Sequence, residues 1–259
     1  MEICALASGS SGNCFYAGDG NSSILIDAGV SCKKIEERML TINRKVENVR
    51  AVFITHEHSD HIRGIDVFAR KFNVPIFATR ELIKNNFLCS NPDLIQTFKV
   101  GENIKIGGME ISSFSKIHKA IDPLGFTIVD SSSGKRASII TDAGHACKNI
   151  IENVSDANAL FFESNHDLEM LENGSYPYFL KKWISSDNGH LSNMQSALCV
   201  LENAKRKMKS MVLCHLSEHN NTPKLALNTH RNLLKHRMDL KPRIFISDKE
   251  SPSVIVKLN

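Results

Sequence analysis

Short apolar runs alternate along the chain with stretches whose apolar positions recur every three or four residues. This alternation predicts strands interleaved with helices. Strands are expected at 2–6, 14–16, 23–26, 50–54 and 74–78, with helical spacing at 30–40, 62–72 and about 80–86. Four more strands follow at 103–106, 109–114, 124–129 and 137–141. Beyond them the pattern gives strands at 159–163, 210–214, 243–247 and 253–257, and helices at 178–185 and 192–207. A last helix is expected from Pro223 to about Met238, with Thr222 as its N-cap. "SGSSGN" (8–13) and "DSSSGK" (130–135) read as glycine-bearing turns. No linker or low-complexity stretch interrupts the pattern, so a single domain over 1–259 is expected.

One internal echo bears on architecture. "ILIDAGVSCKKI" (24–35) and "IITDAGHACKNI" (139–150) match at seven of twelve positions, Asp27 and Asp142 among them. The echo reads either as convergence on a strand–turn–helix or as a chain of two similar β-rich halves, about 1–115 and 116–259. Both readings put an aspartate at the carboxyl end of a strand, where open sheets present functional groups.

Composition narrows the class without naming it. With 42% hydrophobic and 23% charged residues the chain has the make-up of a globular protein, and no run approaches the roughly 18 apolar residues of a membrane span. The N-terminus lacks the basic-then-apolar pattern of a signal peptide. A formal charge of +4 favours polyanionic substrates only mildly. Seven cysteines, odd in number and without a C-x-x-C pair, argue against a disulfide framework or thiolate zinc site and fit a reducing cytoplasm.

The eleven histidines say more. "ITHEHSDHIRG" (54–64) places His56 and His58 two apart on chain leaving a strand, so both rings can face one side. Asp60 and His61 follow where a helix should begin. The two histidines can grip one divalent ion and the Asp60/His61 pair another; nitrogen and carboxylate donors in that mixture suit zinc, manganese or iron.

T-H-x-H-x-D-H, complete here as Thr55, His56, His58, Asp60 and His61, resembles the signature of the metallo-β-lactamase superfamily. The resemblance implies an α/β fold, a four-layer αβ/βα sandwich of two mixed sheets flanked by helices, with a binuclear metal site at one edge. It also implies the remaining ligands. His118 in "FSKIHKAIDPLGF" matches the third histidine, Asp142 in "IITDAG" the bridging carboxylate and His215 in "MVLCHLS" the late histidine. One ion would then take His56, His58 and His118, the other Asp60, His61 and His215, with Asp142 between. Two ions about 3.5–4 Å apart hold a hydroxide that is a strong nucleophile at neutral pH. Asp27 matches an aspartate that anchors the histidine loop rather than the metal; the alternative is a helix cap.

A second constellation resembles the phosphodiesterase branch of the superfamily, which includes transfer-RNA 3′-processing nucleases. There a glutamate pairs with a helix-start histidine that assists the leaving oxygen, and Glu163 in "FFESNHD" and His190 in "GHLSN" match that pair. Asp60, Glu163 and His190 are thus the candidate catalytic group. A carboxylate stabilises the charged form of the histidine and raises its pKa. Ser10, Ser11 and Asn13 of the glycine turn are candidate substrate contacts, with a plain hairpin loop as the alternative. His166 reads equally as surface or substrate contact. His145, His219, His230 and His236 read as exposed, and "AKRKMK" (204–209) as a solvated helix face.

Taken together, "LASGSSGNCF", "ILIDAG", "THEHSDHIRG", "PLGFTI", "TDAG", "ESNHD", "GHLSN" and "HLSEHNN" are similar to the YycJ/WalJ-like subgroup, bacterial cytosolic 5′→3′ DNA exonucleases. Only 47 residues lie between Asp142 and His190, too few for the large inserted cap of the RNA-processing and DNA-repair nucleases. No glycine/proline-rich arm stands between His61 and His118. The expectation is a phosphodiesterase with two divalent ions, acting on single-stranded DNA ends. The same site could serve a small phosphodiester, thioester or lactone, and a non-catalytic metal-binding regulator is the reading from another class.

Overall fold

Residues 1–258 are described by a computed structural model of the chain. Fourteen strands are described, in two seven-stranded sheets. The first sheet holds β1 (Glu2–Ala7), β2 (Cys14–Gly18), β3 (Ser23–Ile26), β4 (Val49–Phe53), β5 (Ile76–Thr79) and β6 (Ile95–Phe98) in sequential order, with β14 (Val256–Lys257) returning beside β1. The second runs β7 (Ile104–Ile106), β8 (Met109–Ser115), β9 (Leu124–Asp130), β10 (Arg136–Ile140), β11 (Ala159–Glu163), β12 (Ser210–Cys214) and β13 (Arg243–Ile246). Each is mixed: β1 to β3 and β7 to β10 are antiparallel meanders, while β3 to β6 and β10 to β13 pair in parallel.

Helices cover the outer faces. They are α1 (Cys32–Thr41), α2 (Ser59–Ile62), α3 (Ile65–Phe72), α4 (Arg80–Asn85), α5 (Lys148–Asp156), α6 (Leu168–Asn173), α7 (Tyr178–Ile184), α8 (Asn193–Asn203) and α9 (Pro223–Leu234). This layering explains why so many strands read as unbroken apolar runs: both faces are buried, and neighbouring residues serve different cores. In β1, Ile3 and Ala5 face the other sheet while Cys4 and Leu6 pack under the outer helices. In β11, Phe161 joins the inter-sheet core and Leu160 and Phe162 the outer one. Aromatic contacts cross the seam, Phe15 to Phe161 at 6.1 Å and Phe53 to Phe126 at 5.7 Å between ring centroids.

The expected sandwich is present, with several local differences. The chain changes sheets before Ile104, so the strands of 104–115 belong to the second sheet rather than to a first half ending at 115. The helix expected at 62–72 begins at Ile65, separated from the short α2 that ends at Ile62, because Gly64 donates its N–H to Ala28 O and lies where a Cβ would sit 2.0 Å from Val30 O. α8 stops at Asn203, so "AKRKMK" is a connection, not a helix face, with Ala204 and Met208 buried and Lys205 and Lys207 paired to Asp156. β6 and α6 stand where no element was expected, and α5 supplies the helix of the strand–turn–helix reading of 139–150.

Candidate active site

Ligand-competent side chains follow the carboxyl ends of β4, β8, β10, β11 and β12, all on one rim of the sandwich, as expected for parallel strands. Two matching turns make the rim. Asp27 after β3 and Asp142 after β10 both hold positive φ, 62° and 54°, and His215 after β12 holds 54°. Non-glycine residues rarely adopt such angles without support from their surroundings. The glycine two residues on permits a close backbone crossing in each half. A Cβ at Gly29 would lie 1.6 Å from Asp60 O, and one at Gly144 would lie 1.9 Å from Asp187 O. The echo in the sequence thus corresponds to two turns against which the loops carrying Asp60/His61 and His190 are pressed.

The donors form three groups, the third, Asp142, Glu163, His190 and His215, overlapping the second. One ring nitrogen from each of His56, His58 and His118 lies within 4.8 Å of the others. Asp60, His61, Asp142 and His215 meet the same limit. Asp142 lies between the groups: its Oδ2 is 3.2 Å from His61 Nε2, and its Oδ1 is 3.3 Å from His215 Nε2 and 3.9 Å from His118 Nε2.

The outward ring nitrogens are anchored. Asp27 takes His61 Nδ1 at 2.7 Å and also binds Thr55 through both its N–H and its hydroxyl, each at 2.8 Å. His56 Nδ1 meets Thr55 Oγ1 at 2.9 Å, and His118 Nδ1 donates to Gly189 O at 2.9 Å.

These residues fit a divalent cation. His118 Nε2 and Asp142 Oδ2 are buried with no hydrogen-bond partner; Asp142 Oδ2 and His61 Nε2 are close but not aligned for a bond. Buried polar atoms left unpaired cost about 1–3 kcal/mol each, and a cation among histidine nitrogens and a carboxylate satisfies them. Glu163, also near Asp142, is not a free donor. Its Oε2 accepts from Ala143 N at 2.8 Å and Leu191 N at 3.2 Å, and its Oε1 takes His190 Nδ1 at 2.8 Å.

Electrostatics follow from burial and these contacts. Burial pushes His118 down to about 4 and holds His56 well below the usual histidine value, which keeps both rings neutral. Burial alone would lower His61, but Asp142 and Asp27 outweigh it and raise its pKa well above normal. Burial works against a carboxylate at Asp142 too, yet His215 and His61 hold it ionised. Burial disfavours charge on both His190 and Glu163; their mutual contact prevails, raising the histidine and lowering the glutamate.

The remaining candidates divide. Ser10 lines a cleft of about 250 Å³ together with His58, Asp60, His118, Asp142, His190 and His215. Ser11 is exposed outside that lining, its carbonyl meeting Arg63. Asn13 is fully buried and absent from that lining; its side chain reaches Asp60 Oδ2 at 3.1 Å, His61 Nε2 at 3.1 Å and His215 Nδ1 at 3.3 Å, tying the second donor group together. His166 is neither on the surface nor in the cleft lining: it is fully buried, and neither ring nitrogen has a partner. His230 is buried, not exposed, and bonds Ala226 O and Ser196 Oγ. His145 is half-buried, while His219 and His236 are exposed as expected.

Sequence reasoning missed Lys116 and the far wall of the cleft. The buried Lys116 Nζ donates to Asp142 O at 2.8 Å, bracing the left-handed turn, and burial lowers its pKa. Nothing in the sequence marks it except its place two residues before His118. The far wall is Tyr176, Leu180, Trp183 and Ile184, from α7 and the turn before it.

Fold and site together define a metallohydrolase of the αβ/βα type, with its candidate metal donors gathered where two mixed sheets meet. The chain belongs to the β-lactamase superfamily, whose domain model matches residues 22–216. It is 38% identical over 239 residues to the exodeoxyribonuclease WalJ of Streptococcus pneumoniae, covering 90% of this chain and 88% of that one. It is 35% identical over 229 residues to the exodeoxyribonuclease YycJ of Bacillus anthracis, covering 87% and 86%. These relatives bear out the subgroup resemblance. Among solved structures, zinc-bound PqqB from Methylobacterium extorquens aligns over the whole of both chains with a TM-score of 0.74 at 17% identity, a likeness of fold.

Proposed function

We propose that this protein is a metal-dependent phosphodiesterase that removes nucleotides 5′→3′ from single-stranded DNA ends in the cytoplasm. The observation that carries the reading is the convergence of two donor groups on Asp142 with the Glu163–His190 pair beside them. The names of the two relatives, which match most of the chain, support the substrate class. The ligands are His56, His58 and His118 for one ion and Asp60, His61 and His215 for the other, with Asp142 shared, and the residents are two zinc or manganese ions, with iron a third candidate. Both groups draw on both sheets, which supports one domain rather than two.

Divalent cations bound there supply an activated water and neutralise charge on the phosphate. His190 acts on the leaving oxygen: with Nδ1 held by Glu163, its Nε2 is the proton-bearing atom on offer to the cleft. Glu163 fixes the ring and favours the protonated form before transfer. Asp60 is held by Asn13 and closes the second donor group towards the cleft. The Glu163–His190 pair favours a phosphodiester over a thioester or lactone, whose cleavage makes less use of a dedicated acid.

Elemental analysis of protein purified without added metal, followed by digestion of oligonucleotides labelled at either end, tests the reading. Two equivalents of metal per chain and loss of the 5′ label first are expected. Metal-replete protein inert on every oligonucleotide refutes it.

A further inference from the structure

Four aromatic side chains and two lysines crowd into one short segment beside the cleft. Tyr176 and Trp183 line the cleft, while Tyr178, on the same segment, is 72% exposed and neighbouring Phe179 is 74% exposed. Phe87 is the other aromatic among the exposed large hydrophobic side chains of the described residues. Tyr178 borders an open groove of about 510 Å³ floored by Leu168 and Leu171, which it shares with Lys181 and Lys182. Lys181 Nζ donates to Glu172 O at 2.7 Å, and Lys182 Nζ lies 4.9 Å from the Tyr178 ring centroid. Neither contact neutralises an ammonium, and Glu172 is the one carboxylate bordering the groove. Aromatic faces left in water are costly, and a contiguous apolar patch marks an interaction surface.

We infer that α7 is a stacking platform for single-stranded nucleic acid, on which the nucleotides beyond the one in the cleft lay their bases over Tyr178 and Phe179 and their phosphates against Lys181 and Lys182. Two features select this occupant. α7 stands between the groove and the cleft, with Tyr178, Lys181 and Lys182 bordering the one and Leu180, Trp183 and Ile184 the other. The groove also pairs the Tyr178 ring and an apolar floor with a net positive border, the combination that holds a strand without reading its sequence, and Phe179 stands exposed beside it. A folded protein surface needs no such alternation of ring and cation. The inference rests on the proposed nuclease reading and adds to it a path for the strand outside the catalytic centre.

The test uses the metal-loaded protein and the double variant Tyr178→Ala/Phe179→Ala. Both side chains are mostly exposed, so the variant should melt as wild type does. Fluorescence anisotropy with a labelled oligothymidylate of about 12 nucleotides should show binding weakened about tenfold or more. KM for its digestion should rise while kcat changes little. Hydrolysis of bis(p-nitrophenyl) phosphate, too small to reach α7, should be unchanged, and Tyr178→Phe/Phe179→Tyr should restore oligonucleotide binding. Equal binding by wild type and the alanine variant overturns the platform and leaves the nuclease reading standing. A wild-type dimer that the alanine variant converts to monomer overturns it in favour of a second copy of the chain. Wild type that cleaves the small ester yet neither binds nor digests the oligonucleotide sinks the nuclease reading and the platform with it.

Discussion

His58 and Asp142 belong to the proposed ligand set, His190 does not, and that separates their expected losses. His58→Ala or Asp142→Ala should remove bound metal and activity together, read by elemental analysis beside a nuclease assay. His190→Ala should keep the metal and lose turnover by about 100- to 10,000-fold, the usual worth of a positioned acid. His230 gives a test remote from the rim. It is buried on α9 with a pKa near 4, pushed down by burial from an ordinary value of 6.5. The unfolded chain therefore takes up a proton at this site before the folded one does, and stability falls as pH drops from about 6.5 towards 4. That window is worth up to about 3 kcal/mol. His230→Gln should flatten it in denaturant melts taken across the range; an unaltered pH slope would count against a neutral buried ring. Such residues were illegible in the sequence. Lys116, His166 and His230 carry polar side chains at positions whose burial is decided by distant elements, while His56, His58 and Asp60 announce themselves by spacing within a few residues.

At the scale of elements, strand ends did most of the positioning, and this made the site more legible than its supports. β4 leads through Ile54 and Thr55 to His56, β11 ends in Glu163 and β12 is followed at once by His215, so apolar run and candidate chemistry could be read together. β6, by contrast, has three of its four side chains at least partly exposed and shows neither alternation nor a continuous run. The split between α2 and α3 depends on Gly64 meeting the Ala28–Val30 backbone, a contact that local spacing does not encode. The Asp-Ala-Gly turns lie between these cases: their likeness was visible, but its reason, a backbone crossing tight enough to exclude a Cβ, was not. Gly144→Ala should push the 187–190 loop away, costing about 1–3 kcal/mol or more and displacing His190. A lowered melting temperature with reduced turnover is expected; an alanine variant with wild-type melting and rate would mean the crossing yields freely.

For the whole molecule, the two sheets are held by the Phe15, Phe53, Phe126 and Phe161 core and by the last strand, which crosses back to the first sheet. Ser253 reinforces that return, donating its N–H to Ala5 O at 2.8 Å and accepting Ala5 N at 3.0 Å. Removing the chain from Ser253 onward should bare the edge of β1 and lower the melting temperature, as calorimetry would register. His56, His58, Asp60 and His61 come from the first sheet's loops, whereas His118, Asp142 and His215 come from the second's. Neither sheet owns a complete set of donors. A cation that binds only the docked pair stabilises docking by mass action. On the proposed ligand set the catalyst is therefore also a latch: cutting power arises only once both sheets have closed on each other, and a half-assembled chain has nothing with which to cut.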